Sequence, residues 1–358
     1  MALQLFNFHS NNKKINHAVL NFVCVVPVPP PIHGASIMST HLVESLSRLG
    51  KVKTISNSVS IKNHEIGYFS VNKVFVILKI LVKIYRAINM DKNALVFWTP
   101  SENKLKFLVE WYTIKIASKG SKIIVYPHSW RLINSPYFHR FIEDKEYVHL
   151  IKLGDFHLDL NISSYVIRNF ASNIPIVKRE NQEKKDRITI GYLSNFFRSK
   201  GILEFLQIAA EIRKKCSDIE IVVAGQSGDI NSEIIKAKCQ ILDFTFLGAI
   251  YGETKSAFFD ELDIFIFPSS YHNEYSPLVL LEALSTDTVV YSTDTGIIKS
   301  TIGEEFTVET SEMADKIIKD ISFKGIEELK IRTRGKNIPS RLTYECELKN
   351  VINEVCRI

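Results

Sequence analysis

Short apolar runs rich in β-branched and aromatic residues alternate along this chain with longer stretches whose apolar positions recur every three or four residues. The first kind reads as buried parallel strands, the second as helices lying on them. In the second half the alternation is regular. Strand 188–193 precedes helix 201–214, strand 219–224 precedes helix 230–242, and strand 244–247 precedes helix 253–261. A run from Asp263 to Phe267 then leads through a polar turn to a Leu-rich helix, and 288–292 is a fifth strand. The first half repeats the scheme more loosely. Its strands are expected at 19–28, 52–55, 94–98, 122–126, 149–153 and 165–170, and its helices at 37–49, 72–88 and 104–117, with Gly50 ending the first helix. Strict alternation implies doubly wound parallel sheets, an α/β chain of two Rossmann-like domains. The charged run 176–187 loses the apolar period and reads as the linker, which sets domains at 1–170 and 171–340 and a last helix at 341–358.

The chemistry gathers in the stretch from Asp263 to Leu284. Pro268 and two serines stop its strand, and the turn Ser269–Tyr275 lies at the carboxyl end, where open α/β sheets bind ligands. Ser276 is placed as N-cap and Pro277 as the first helical residue, ahead of Leu278. Such a helix start offers unpaired N–H groups and a partial positive charge to a phosphate. Glu274 precedes the helix and Glu282 lies within it. A carboxylate there suits sugar hydroxyls; by residue type alone, a solvated loop acid and a paired helix acid are the plainer reading. After strand 188–193, Arg198 and Lys200 sit on the loop before the next helix. Cations at such a loop meet charge growing on a leaving phosphate, although an isolated Arg-x-Lys also suits a solvated turn. Gly34, in a proline-rich turn, lets backbone approach a ligand closely. His128 stands at a strand's carboxyl end, where a structural histidine is as natural as a functional one.

Composition narrows the classes. A chain of 358 residues exceeds what one core usually organises. Its net charge of +6 is spread along the chain, which suits an anionic substrate or an acidic membrane surface rather than nucleic acid. Five cysteines without metal-type spacing read as reduced thiols. The polar start has no signal-peptide pattern, and no window approaches the roughly 18 apolar residues that span a bilayer. A cytoplasmic or peripheral protein is expected. No Gly-x-Gly-x-x-Gly follows a strand, which argues against a dinucleotide oxidoreductase, and no Asp-x-Asp stands at a strand end to suggest a metal.

From Asp263 to Ala283 the chain resembles, position by position, the Glu-x7-Glu motif of retaining nucleotide-sugar glycosyltransferases of the GT-B fold, family 4. The loop from Gly191 to Gly201 is similar to that family's phosphate loop, the turn His33-Gly34-Ala35-Ser36 to its glycine loop, and Asn169 to the asparagine closing its first domain. The resemblance implies two Rossmann-like domains facing a cleft, with the last helix crossing back onto the first. It implies Glu274, His128 and Lys200 as catalytic residues. Glu274 would hold the sugar hydroxyls, His128 would face the donor sugar and Lys200 would neutralise the diphosphate. Glu282 would hold the ribose. Arg198, Asn195, Gly34 and the helix start at Ser276, Pro277 and Leu278 would complete the donor site. The donor is then a nucleotide diphosphate sugar, with no cofactor and no metal, and the acceptor is a glycan or lipid-linked hydroxyl in bacterial surface polysaccharide assembly. Three departures stand out: Asn195 replaces the family's arginine, Thr286-Asp287-Thr288 its Gly-x-Pro, and Thr295-Gly296-Ile297 its paired glycines. They keep two rivals in view, a GT-B epimerase or hydrolase and a non-catalytic partner subunit.

Overall fold

The computed structural model describes residues 20–59, 71–171, 187–216, 218–334, 336 and 338–357. Residues 1–19, with most of the polar start, and 172–186, with most of the expected linker, lie outside the described residues. The first half runs β1 (Leu20–Val26), α1 (Gly34–Ser47), β2 (Gly50–Ser56), α2 (Val71–Met90), β3 (Leu95–Trp98), α3 (Lys104–Ala117), β4 (Ile123–Val125), α4 (Trp130–Ile133), α5 (Pro136–Ile142), β5 (Val148–Lys152) and β6 (Ser163–Val166). Its strands form one parallel sheet in the order β2-β1-β3-β4-β5-β6.

The second half runs β7 (Ile188–Leu193), α6 (Ile202–Lys215), β8 (Ile219–Ala224), α7 (Ser232–Leu242), β9 (Thr245–Gly248), α8 (Gly252–Glu261), β10 (Ile264–Phe267), α9 (Leu278–Leu284) and β11 (Val289–Ser292). After these come α10 (Ile298–Ile302), α11 (Thr310–Lys324), α12 (Ile326–Thr333) and α13 (Arg341–Arg357). The second sheet is also parallel, ordered β11-β10-β7-β8-β9. Helices cover both sheets, so inner strands such as β3 and β10 are buried at every residue, which is why they read as unbroken apolar runs.

Each sheet has its own core. Tyr344, Leu348, Val351 and Val355 of α13 lie in the first, at the three- and four-residue spacing of one helix face. The Lys122 ammonium donates to the Val355 carbonyl at 2.6 Å, and Arg168 pairs with Glu347 at 3.2 Å. A chain that has built the second domain therefore ends on the first. In the second core, buried Asp263 accepts from the Thr189 N–H at 2.9 Å and pairs with Lys330 at 2.5 Å, which fastens β7, β10 and α12 together.

Three elements differ from what the sequence predicts. Gly50 opens β2 instead of ending α1, which is capped at Arg48; a Cβ at Gly50 would lie 2.0 Å from the Leu20 carbonyl oxygen. The last expected strand of the first half stops at Val166, one residue before the Ile167 N–H bonds the Lys152 carbonyl. α9 begins at Leu278, with Pro277 as an extended N-cap and no side-chain cap from Ser276. Among the described residues no helix is long and apolar enough to cross a membrane.

Candidate active site

Strand order makes the site. The second sheet starts at β7 in its middle, grows outward to β9 and resumes on the other side at β10. The loops after β7 and β10 thus leave neighbouring strands at the switch point, where a ligand crevice opens. The first of these loops makes a 3-10 turn over Arg198–Lys200 and ends at Gly201, whose φ of 78° favours glycine. A Cβ at Gly201 would lie 2.1 Å from the Pro268 carbonyl oxygen, so only glycine lets the turn sit against the end of β10. The Tyr192 hydroxyl donates to the Lys200 carbonyl at 3.0 Å, and the Ser270 N–H donates to the Ser199 carbonyl at 2.9 Å. Held in this way, the Lys200 ammonium contacts the Glu274 carboxylate and lies 4.5 Å from the centre of the Tyr271 ring. Arg198, at the start of the turn, is exposed, with its N–H on the Asp229 carboxylate at 2.8 Å. Asn195 is half-buried upstream, its carbonyl accepting from the Phe197 N–H at 2.7 Å.

Glu274 and Glu282 are both buried, but in different company. Glu282 pairs with Lys255 of α8 at 2.6 Å, and burial raises its pKa against the pull of that cation. Nothing in the sequence marked Lys255, because its partner lies on another helix. Around Glu274 the loop is hung on the first domain. The Leu153 N–H donates to the Tyr275 hydroxyl at 3.0 Å, the Asn169 side chain donates to the Ser276 carbonyl at 3.0 Å, and the Trp130 N–H reaches the Asn273 carbonyl at 3.3 Å. Tyr275, Leu278 and Leu281 even pack into the first domain's core. The side chain of Leu278, the first residue of α9, lies in that core next to Gly34: a Cβ there would be 3.9 Å away.

The first sheet switches direction between β1 and β3, and its carboxyl edge supplies the facing wall. After β1, His33 caps α1: its Nδ1 accepts from the Ser36 N–H at 3.2 Å, while Ser36 Oγ accepts from the His33 N–H at 3.0 Å. After β4, the His128 ring packs 4.5 Å from that of Tyr126, and its Nε2 is buried without a hydrogen-bond partner among the described residues. Burial, reinforced by nearby His33, pushes the His128 pKa down to about 3, so its imidazole is neutral at physiological pH. After β3, Glu102 accepts from the Asn273 side chain; desolvation raises its pKa while Ser129, Arg131 and Lys200 pull it down. The sequence reading missed Glu102, Asn273 and Tyr271. Asn273 and Tyr271 lay inside the motif loop, and Glu102 at a strand end was the available signal.

Two of the three departures, those after α9 and after β11, are absorbed by the fold. Asp287 takes a left-handed φ of 62° and pairs with Arg334 at 2.6 Å. Gly296, at φ 59°, presses on the Glu274–Tyr275 backbone, where a Cβ would come within 2.4 Å of both carbonyl oxygens. Ile297, in place of a second glycine, sits at φ −105°, open to any residue, and packs on Gly154 of the first domain. Among the described residues no three His, Cys, Asp or Glu side chains gather as a metal site.

Residues 173–329, less than half of the chain, match the family described as Glycosyl transferases group 1. No curated protein matches the chain. Among solved structures, a glycosyltransferase from Rickettsia africae superposes with a TM-score of 0.67 at 16% identity, covering 95% of this chain and 99% of that one. The UDP-forming alpha,alpha-trehalose-phosphate synthase of Burkholderia vietnamiensis gives 0.65 at 10% identity, covering 95% and 100%. The pneumococcal O-GlcNAc transferase, solved with UDP and GlcNAc, gives 0.59 at 12% identity, covering 78% of this chain and 60% of that one. These identities carry the fold, and the matched segment spans the second sheet with both loops of the crevice. The chain has the GT-B fold, and the segment that builds its second sheet matches the Glycosyl transferases group 1 family.

Proposed function

We propose that the protein transfers a sugar from a nucleoside diphosphate donor to an acceptor hydroxyl with retention of anomeric configuration, in the manner of family 4. The observation that carries this reading is Lys200 meeting Glu274 at the switch point of the second sheet. As the sugar–phosphate bond breaks, negative charge grows on the diphosphate, and a positioned ammonium stabilises it more than the ground state. Lys200 takes that part, so no metal is assigned to the step. Glu274 holds the sugar hydroxyls, and Glu282, with its charge balanced by Lys255, holds the ribose. His128 stays neutral and faces the donor sugar from the first domain. Gly34 and the start of α9 line the donor side, Arg198 lends charge from the rim, and Asn195 leaves the clamp with one cation fewer.

The acceptor, in this reading, is a lipid-linked glycan of a bacterial surface polysaccharide, met by a cytoplasmic protein resting at the membrane. A panel of nucleotide sugars screened by thermal shift identifies the donor: at about 100 times its Kd it adds roughly 2.7 kcal/mol. Product analysis follows, with and without lipid-linked or oligosaccharide acceptor, and NMR assigns the anomeric configuration. Free sugar released at full rate from donor alone would favour a hydrolase. Donor binding without transfer to any acceptor would favour a partner subunit.

A further inference from the structure

The outward faces of α2 and α3 are not those of helices that meet only water. α2 buries Ile80, Ile84, Ala87 and Ile88, and helical periodicity puts Phe75, Leu78, Val82 and Tyr85 on the opposite side. All four are exposed, Phe75 to 61%. α3 repeats the arrangement: Phe107, Trp111 and Ile114 face inward, and Leu105, Tyr112 and Ile116 face outward, with Leu105 exposed to 72%. The two helices pack against each other, so their apolar stripes adjoin. Exposed cations flank them, Lys79, Lys83 and Arg86 on α2, Lys104 and Lys115 on α3. No exposed acid on either helix balances these charges. α2 contains none, and Glu110, alone on α3, is buried and paired with Lys106 at 3.3 Å.

We infer that the α2–α3 face docks on an anionic lipid bilayer, its apolar stripes entering the headgroup region and its cations meeting the lipid charge. This rests on the proposed peripheral location and assigns it a surface. A second copy of the chain is the poorer occupant, because a two-fold interface would set this cationic patch against itself. The placement also suits an acceptor held in the membrane. Crossover helices between parallel strands start at the carboxyl edge of the sheet, and α3 starts two residues after Glu102. Phe75 and Leu105 therefore mark the end of the patch nearest the cleft.

Flotation of the full chain with phosphatidylcholine vesicles, with and without phosphatidylglycerol, tests the assignment. The protein is expected to float with the anionic vesicles at low salt and to be released at high salt. Lys79→Glu/Lys83→Glu/Arg86→Glu should lower the partition coefficient at least about tenfold. Phe75→Ser/Val82→Ser should weaken binding without changing the charge. Because all five positions are exposed, the donor-induced thermal shift should be the same in both variants, which checks folding. Wild type left behind by anionic vesicles at low salt overturns the proposal. So does a charge-reversed variant that floats like wild type, or a wild-type dimer that Phe75→Ser/Val82→Ser dissolves. Wild type that floats but binds no nucleotide sugar upholds the surface while counting against the transferase reading.

Discussion

The Lys200 ammonium rests on the Glu274 carboxylate, joining two loops that leave adjacent strands 74 residues apart in the chain. Both side chains are largely buried. A cation already held at the switch point meets an incoming diphosphate without reorganising, which is the economical arrangement for stabilising a leaving group.

Lys200→Ala is expected to lower turnover at saturating donor by about one to two decades, the worth of one charge-assisted contact of about 1.5–3 kcal/mol. It should also lower thermal stability, because Glu274 loses its cation in a buried setting. Lys200→Ala/Glu274→Gln should regain much of that stability and none of the turnover. A single variant with wild-type kcat would remove Lys200 from the chemistry.

Tyr275→Phe should cost about 1–3 kcal/mol, since the Leu153 N–H would then be buried without an acceptor. The same bond ties the motif loop to the first domain, so the Tm from calorimetry should fall while the far-UV circular dichroism stays unchanged. An unchanged Tm would mean that the loop is held by its other interdomain bonds, through Asn169, Trp130 and Glu102.

Glu282 and Lys255 form a pair whose acid partner is 2% exposed at its side chain. Lys255→Ala should destabilise the protein by about 3–5 kcal/mol at neutral pH. Burial already raises the Glu282 pKa above its unfolded value, and losing the cation raises it further. The folded state then binds the proton more readily, so the loss should shrink as pH falls toward the ordinary glutamate range. Denaturant titrations of both proteins at neutral and mildly acidic pH check the sign. Glu282→Ala should in addition weaken binding of the free nucleoside diphosphate, read by isothermal titration calorimetry.

His128 predicts the opposite pH trend. Its pKa falls from 6.5 to about 3 on folding, so the unfolded chain takes up a proton that the folded state refuses. Stability should decline as pH drops below 6.5 and stop declining from this cause near pH 3, a loss on the order of a few kcal/mol. His128→Phe should flatten that part of the stability–pH curve. Parallel curves for variant and wild type would show that the imidazole is hydrated.

Much of the architecture was legible in residue order because its determinants are local. Doubly buried strands must be apolar at every position, and helices lying on them must be apolar at every third or fourth, so β7, β8 and β10 with their helices could be read from short windows. Glu274, Lys200 and Gly201 were legible for the same reason: a strand end, a turn glycine and a helix start sit within a few residues of each other. What those windows could not hold was the company each side chain keeps. Lys255 reaches Glu282 across 27 residues, and Glu102 reaches Asn273 across 171. Such distances are closed by strand order, which placed β7 beside β10 and turned the first sheet's carboxyl edge toward them. Leu278 shows the limit most plainly. The sequence placed it in a helix just after Pro277, and only the packing of one domain on the other made it part of the first core. Ion pairs and burial arise from proximity in space, and the tertiary fold alone decides that.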